Sequence, residues 1–186
     1  MNFDSSVSLL LDDQESKRLR FRKILKSDFK TWIEFFKDAR TSVHWTEVRG
    51  TPHEKTQKWY SKQFNRYENN LGGMNALIEK TSGNLIGPCG LLMQTVNDAE
   101  ELEIGYSLLP VYWNKGYATE AAQKCRDYAF ENNLSEELIS IISVTNFSSM
   151  RVAIKNGMRL DSQTIYKQNQ VNIFRILKED WESIKN

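Results

Sequence analysis

Residues 102–122 read LEIGYSLLPVYWNKGYATEAA, and the rest of the chain is organised around this stretch. It opens as a strand, breaks at Pro110, turns through a short loop and enters a helix near Lys115. Beyond the loop, Ala118, Ala121, Ala122, Cys125 and Ala129 recur at steps of three and four, so one helix face is small and apolar. Gly116 and Ala118 keep the corner between loop and helix free of bulk. A helix start leaves several backbone N–H groups without partners and carries the positive end of the helix dipole. Strand, small-residue loop and helix start are therefore a local design for holding a phosphate group. The plainer reading is that Gly116 only eases a tight turn onto a helix.

Toward the C-terminus, Asn132-Asn133 stops this helix, and residues 138–144, rich in isoleucine and valine, read as a buried strand. Asn146 caps a short helix that turns Met150, Ala153 and Ile154 inward and closes at Gly157. Residues 158–167 and 171–177 form a hairpin through Gln168-Asn169-Gln170, and 178–184 a last helical turn. Toward the N-terminus, residues 75–80 and 85–95 are strands joined at Ser82-Gly83-Asn84, with Gly72-Gly73 as punctuation before them. Pro88 marks a bulge or an edge position in the second of these, and 96–100 is a polar connection. Thr51-Pro52-His53-Glu54 combines a capping box with proline at the first helical position, opening a helix with Trp59, Tyr60, Phe64 and Tyr67 on its inner side. An earlier amphipathic helix, capped at Ser27 and reaching Ala39, carries Phe29, Trp32, Ile33 and Phe36. These two helices are either plain core, or their connection at 41–50, with His44 and Trp45, overhangs a cleft. Residues 18–25 form a first strand with Leu19, Phe21 and Ile24 inward, and 1–17 a loosely ordered or edge-pairing segment. Strand, two helices, three strands, helix, strand, helix, two strands describes a mixed α/β sheet protein. Without repeats or linkers, it is one domain over residues 1–186.

Composition excludes several classes of function. Lys+Arg 25 against Asp+Glu 24 gives a net charge of +1, which suggests neither nucleic acid nor an acidic membrane as partner. No apolar run approaches a transmembrane length, and the VSLLL near the start is flanked by Asp4, Asp12 and Asp13, unlike a signal-peptide core. Cys89 and Cys125 lie far apart in sequence without metal-ligand spacing, so reduced, buried thiols and no metal are expected, in a cytoplasmic protein. His44 and His53 likewise lack ligand partners.

ELEIGYSLLPVYWNKGYATEA at 101–121, followed by NFSSMRVAIKNGM at 146–158, resembles the GNAT acyl-CoA N-acyltransferases, in particular the branch of ribosomal-protein alanine N-acetyltransferases (RimJ/RimL-like). RLRFRKILKSDF at 18–29 resembles that family's first strand and helix entry, so the likeness covers nearly the whole chain. There is no GxxxxGK[ST] loop and no GxGxxG to favour a different phosphate binder. The resemblance implies the GNAT fold: a twisted, mostly antiparallel sheet flanked by helices and splayed at the acyl-CoA site. It also implies an acetyltransferase that uses acetyl-CoA and an amine acceptor, either a protein N-terminus or a small molecule. A homodimer is left open. The rival reading is a non-catalytic acyl-CoA-binding module.

The resemblance also implies particular residues. Asn114, Lys115, Gly116, Tyr117, Ala118 and Thr119 would hold the pyrophosphate, mainly through backbone N–H groups. Trp113 stands where the family most often has Gln or Arg, which puts a side-chain contribution there in doubt. Ser107, Leu108 and Leu109 would supply the strand that pairs with pantetheine and an N–H for the oxyanion. Asn146 matches a pantetheine contact, although a helix cap explains it alone, while Lys155 and Arg151 would meet a 3′-phosphate or form a solvated helix face. Glu101 and Glu103 are two apart in a strand and so share a face. Glu103 matches the glutamate of the family's EIGY segment and is the preferred base, against the reading that both carboxylates lie on a solvated face. Ser149 matches a serine placed near the CoA sulfur, and its position three residues after Asn146 equally suits helix capping. Tyr106 and Tyr112 are read as packing groups.

Overall fold

Side-chain alternation decides how the sheet is covered. In the strand Ala99–Tyr106 (β4), Leu102 and Ile104 are buried toward one face, so Glu101 and Glu103 turn to the other. The computed structural model describes residues 7–45 and 49–185. Its strands are β1 (Leu19–Lys23), β2 (Gly72–Glu79), β3 (Leu85–Val96), β4, β5 (Glu137–Ser143), β6 (Arg159–Tyr166) and β7 (Asn169–Leu177). Among the described residues they form one seven-stranded sheet in the order β1-β2-β3-β4-β5-β7-β6. Every neighbouring pair is antiparallel except β4 and β5, which are parallel and pair at a single register position, Glu103 opposite Ile139. The helices are α1 (Phe29–Lys37), α2 (Pro52–Glu68), α3 (Tyr117–Glu131), α4 (Phe147–Lys155) and α5 (Lys178–Lys185).

Among the described residues three hydrophobic clusters follow from this arrangement, the smallest being Val96, Ile139, Ile141, Val171 and Ile173. The small face of α3, with Ala121, Ala122, Cys125 and Ala129 fully buried, lies on Leu77, Leu91, Leu102 and Ile104. On the opposite face, Trp32 of α1 and Tyr60 of α2 pack over Ala76 and Ile78, with Trp59, Phe64 and Tyr67 half-buried around them. Cys89 and Cys125, distant in sequence, stand beneath α3 as free thiols with their Sγ atoms 3.5 Å apart. Among the described residues no helix is long and apolar enough to cross a membrane.

Most elements appear where the pattern places them, and the exceptions have physical reasons. The Thr51 capping box forms as read, with the Glu54 N–H donating to Thr51 Oγ1 and the Thr51 N–H to Glu54 Oε2. Ser27 does not cap α1. It lies inside a 3₁₀ turn (Lys26–Asp28), where the Asp28 carboxylate accepts from the Leu25 N–H and from Arg22. Gly72 and Gly73 do not precede β2 but begin it, because a Cβ at Gly72 would lie 2.2 Å from the Leu91 carbonyl oxygen. Pro88 sits in an interior strand in regular register opposite Ala76, so it is neither at an edge nor itself bulged; the irregularity of β2–β3 pairing falls at Leu77/Ile78, opposite Gly87 and Leu85. Ile154 does not face inward; it is 60% exposed while Met150 and Ala153 make the contact. The segment before β1 is firmly packed from residue 7 onward: Leu11 is fully buried and its N–H donates to Asn75 Oδ1. Residues 1–6 lie outside the described residues.

Candidate functional site

Three features converge where β4 and β5 part. The first is the connection from β4 to α3. Pro110–Tyr112 makes a 3₁₀ turn, Asn114 and Gly116 take positive φ of 60° and 80°, and Gly116 becomes the N-cap of α3. Two consecutive left-handed corners separated by one residue splay the backbone, and the N–H groups from Asn114 to Thr119 have no partner among the described residues. That concave run of donors, at the positive end of a fifteen-residue helix, suits a diphosphate. Lys115 and Gly116 are exposed there. The Trp113 indole turns back to donate to the Leu108 carbonyl oxygen at 2.7 Å, tying the loop to the end of the strand, and Arg40 lies over its ring at 5.3 Å.

Arg18, which sequence reasoning did not single out, locks the same loop from behind. Its Nη1 donates to the Lys115 carbonyl oxygen at 3.0 Å, its Nε to Glu120 Oε2 at 2.6 Å, and its guanidinium lies 4.1 Å over the Tyr117 ring. Glu120 also accepts from Ser16 Oγ and the Arg18 N–H. Burial would raise the Glu120 carboxyl, but these hydrogen bonds outweigh it and hold the group below the ordinary carboxylate value. The signal was present in the sequence as an Arg at the start of the first strand and a Glu in the first turn of α3. Their partnership, 102 residues apart, was not.

The second feature is the strand edge left open by the splay. Ser140 Oγ donates to the Ile104 carbonyl oxygen at 2.9 Å, just past the one paired position, and beyond it β4 pairs with no strand on that side among the described residues. Strand residues alternate the side to which they offer N–H and C=O. The Ser107 and Leu109 N–H groups bond to Pro88 and Ile86 of β3, whereas the Leu108 N–H has no backbone partner among the described residues. Of the three predicted strand residues, Leu108 is thus the one whose N–H faces the open edge. Across the gap, Asn146 caps α4 through its Oδ1, accepting from the Ser149 N–H at 3.1 Å. Tyr106, read as a packing residue, packs against the α3-side core, and its hydroxyl also donates to the Ser149 carbonyl oxygen at 2.9 Å, bridging the gap. Burial pushes its phenol well up. His44 reaches the same place from the α1–α2 connection, its Nδ1 2.9 Å from Thr145 Oγ1, so the described part of that connection does overhang the cleft. Residues 46–48 of it lie outside the described residues. His53 packs against Phe29 instead, the rings tilted at 57° with centroids 5.1 Å apart. Arg151 and Lys155 are exposed on α4, and the Lys155 carbonyl oxygen accepts from Gln123 of α3. Tyr112 packs near Tyr117, with Lys115 Nζ 5.4 Å from its ring centre.

The third feature is the acid pair. Glu101 and Glu103 share a face as expected, with different surroundings. Glu101 is held bidentately by Arg175 at 2.9 and 3.0 Å, and Arg175 also meets Glu137 and Asp161. Glu103, at the vertex of the splay, accepts from Gln94 Nε2 at 2.6 Å. Gln94 Oε1 in turn accepts from Arg66 Nη2 and from the Tyr166 hydroxyl. Burial raises the Glu103 carboxyl above the usual 4.5, and the Gln94 hydrogen bond, Lys167 and Arg66 only partly offset it. Among the described residues no group of three or more His, Cys, Asp or Glu side chains is placed to hold a metal. An open groove of about 1120 Å³ lies elsewhere, between α1, the β2–β3 turn and Pro110–Tyr112. Its charges are paired as Arg22–Asp28, Lys37–Glu34 and Arg40–Asp38, and none of the predicted residues but Leu109 lines it.

Comparison with known proteins agrees with this geometry. Residues 18–159 match the domain described as an acetyltransferase (GNAT) domain. The uncharacterized protein YkkB of Bacillus subtilis (strain 168) is 31% identical over 145 residues, covering 77% of this chain and 74% of that protein. A GNAT-family acetyltransferase from Bacillus anthracis superposes with a TM-score of 0.73 at 25% identity, over 89% of this chain and 98% of that one. A ribosomal-protein-S5-alanine acetyltransferase from Vibrio fischeri shares the fold, with a TM-score of 0.68 at 20% identity over 90% and 97% of the two chains.

Proposed function

The chain belongs to the GNAT acetyltransferase family, and from that premise we propose that it transfers the acetyl group of acetyl-CoA directly to a primary amine. The observation that carries the reading is the run of unpartnered N–H groups from Asn114 to Thr119, opening beside an unpaired strand edge whose vertex holds a half-buried carboxylate. Diphosphate, pantetheine and thioester would lie along these in order. The backbone of Asn114–Thr119 with Lys115 holds the diphosphate. Asn146 and the free edge at Leu108 align the pantetheine arm, and Lys155 stands on the rim for the 3′-phosphate.

Glu103 is assigned the proton from the attacking amine. An acid with a raised pKa is a better match to an ammonium at neutral pH than an ordinary carboxylate. Glu101 is less suited, because Arg175 occupies both of its oxygens. The Leu108 N–H is assigned to the oxyanion of the tetrahedral intermediate. Ser149 is assigned the proton for the departing thiolate. Capping and this role coexist, since capping uses its N–H and leaves the hydroxyl free of it. Holding both reactants in one cleft supplies much of the acceleration.

The test is calorimetry with acetyl-CoA, followed by a screen of peptide N-termini and small amines that reads release of free CoA thiol. Acetyl-CoA binding with turnover of at least one class is expected. Tight binding with no turnover of any amine would favour the rival reading of a non-catalytic acyl-CoA-binding module.

A further inference from the structure

The connection between α1 and α2 touches both lips of the parted strands. On the β4 side, Arg40 lies 5.3 Å over the Trp113 ring, and the Trp113 indole donates to the Leu108 carbonyl oxygen at 2.7 Å. On the β5 side, His44 Nδ1 lies 2.9 Å from Thr145 Oγ1, which is itself 3.1 Å from Ser143 Oγ at the end of β5. Leu108, which Trp113 holds, and Asn146, which follows Thr145, are the residues assigned to the oxyanion and to the pantetheine arm. Two anchors four residues apart in sequence therefore join the two sides of the place assigned to the thioester.

The segment that carries these anchors has a fixed shape of its own. A 3₁₀ turn (Ala39–Thr41) starts at Asp38, whose carboxylate accepts from the Arg40 N–H at 3.0 Å and from the Arg40 guanidinium at 2.6 to 3.2 Å. Thr41 Oγ1 lies within 2.8 Å of the Phe35 and Asp38 carbonyl oxygens, and the Trp45 N–H donates to the Ser42 carbonyl oxygen at 3.2 Å. The contacts across the cleft are of another kind. The Arg40 side chain is 67% exposed and His44 is half-buried. A segment fastened by solvent-reached side chains opens far more readily than the core beneath it.

We propose that Arg40 and His44 are positioning residues that fasten residues 38–45 as a strap over the thioester of bound acetyl-CoA, keeping water from the acetyl carbon until the amine reacts. This rests on the acetyl-transfer reading of the same site. A thioester left in a wet cleft is open to hydrolysis: water attacks the acetyl carbon, the C–S bond breaks, and acetate and free CoA thiol leave. A closed segment suppresses that side reaction by excluding water. The same strap has to let go before CoA departs.

The experiment uses the full chain and reads release of free thiol from acetyl-CoA with no amine present. In His44→Ala the rate is expected to rise about tenfold, the weight of one neutral hydrogen bond, with Tm unchanged. Thr145→Val should do the same, and the double variant should do no more than either alone. Thr145→Ser keeps the hydroxyl and should resemble the unaltered protein. Arg40→Ala frees the opposite lip, so its effect should add to that of His44→Ala. A merely structural role would lower Tm and leave thiol release unraised. Thiol release that stays at the unaltered level in either His44→Ala or Arg40→Ala overturns the proposal. So do independent effects of His44→Ala and Thr145→Val, because the two side chains then share no latch. Where thiol release lies below detection in every protein, stopped-flow displacement of bound CoA decides: dissociation about tenfold faster in His44→Ala supports the strap, and an unchanged rate overturns it. Failure of the acetyl-transfer reading has a separate signature, the absence of acetyl-CoA affinity in the unaltered protein.

Discussion

The two ends of the cleft are made of different material. At the start of α3 the ligand-facing groups are backbone N–H donors, and the side chains there, Trp113, Arg18 and Glu120, hold the loop in shape. At the vertex of β4 and β5 the group proposed to act is a side chain, Glu103, positioned by further side chains from α2, β3 and the β6–β7 hairpin. A backbone site tolerates changes of side chain so long as its φ angles survive. A side-chain site loses its function with one atom. That contrast also explains why Trp113 can replace a polar residue in the loop without dismantling it.

The sharpest way to separate the ends is Glu103→Gln, which keeps the shape and can still accept from Gln94 but removes the proposed base. We expect kcat/KM to fall about 100-fold or more, while calorimetry gives an unchanged acetyl-CoA affinity. In the unaltered protein, activity should fall as pH drops through a pKa above the ordinary carboxylate value of 4.5, because the protonated acid cannot accept a proton. The variant should lose that acid limb. The sign for stability is opposite. A folded-state pKa raised above the unfolded one means that stability falls as pH rises through this window, so removing the charge should not lower Tm at neutral pH. Unchanged turnover with a true acceptor would remove Glu103 from the mechanism.

The counterpart at the other end is Gly116→Glu. A residue other than glycine at φ 80° costs about 1–2 kcal/mol. The new Cβ meets only Arg18 Nη2 at 3.5 Å, so the domain should stay folded. The added carboxylate faces the diphosphate, and acetyl-CoA affinity should weaken by about 100-fold. Retained affinity would break the argument that this loop is the phosphate site.

Legibility in the sequence followed the same division. The strand, the small-residue loop and the alanine face of α3 are local patterns, so residues 102–122 announced both the fold and the loop. The capping roles of Thr51 and Asn146 were legible for the same reason, since a cap and its N–H donor lie three residues apart. Gly72 and Gly73 misled because two glycines in a row normally break a strand, whereas here the β3 backbone crowds Gly72 and the Tyr67 ring crowds Gly73. Glu101 and Glu103 could not be told apart, because what distinguishes them is Arg175 for one and Gln94 for the other, and no local pattern predicts those pairings.

Arg18 belongs to both categories and gives the smallest but most discriminating effect. It is a side chain, yet it acts on the backbone end, and three of its contacts fall on consecutive parts of the loop and helix start: the Lys115 carbonyl, the Tyr117 ring and the Glu120 carboxylate. Removing it in Arg18→Ala should leave the vertex untouched while the N–H donors lose their fixed spacing. We expect KM for acetyl-CoA to rise about tenfold, equivalent to about 1.4 kcal/mol, with kcat little changed. Acetyl-pantetheine, which lacks the diphosphate, should show no such rise, because it does not use the loop. A general loss of stability would raise both. Equal effects on the two thioesters would therefore show that Arg18 supports the fold alone and that the loop needs no clamp to bind phosphate.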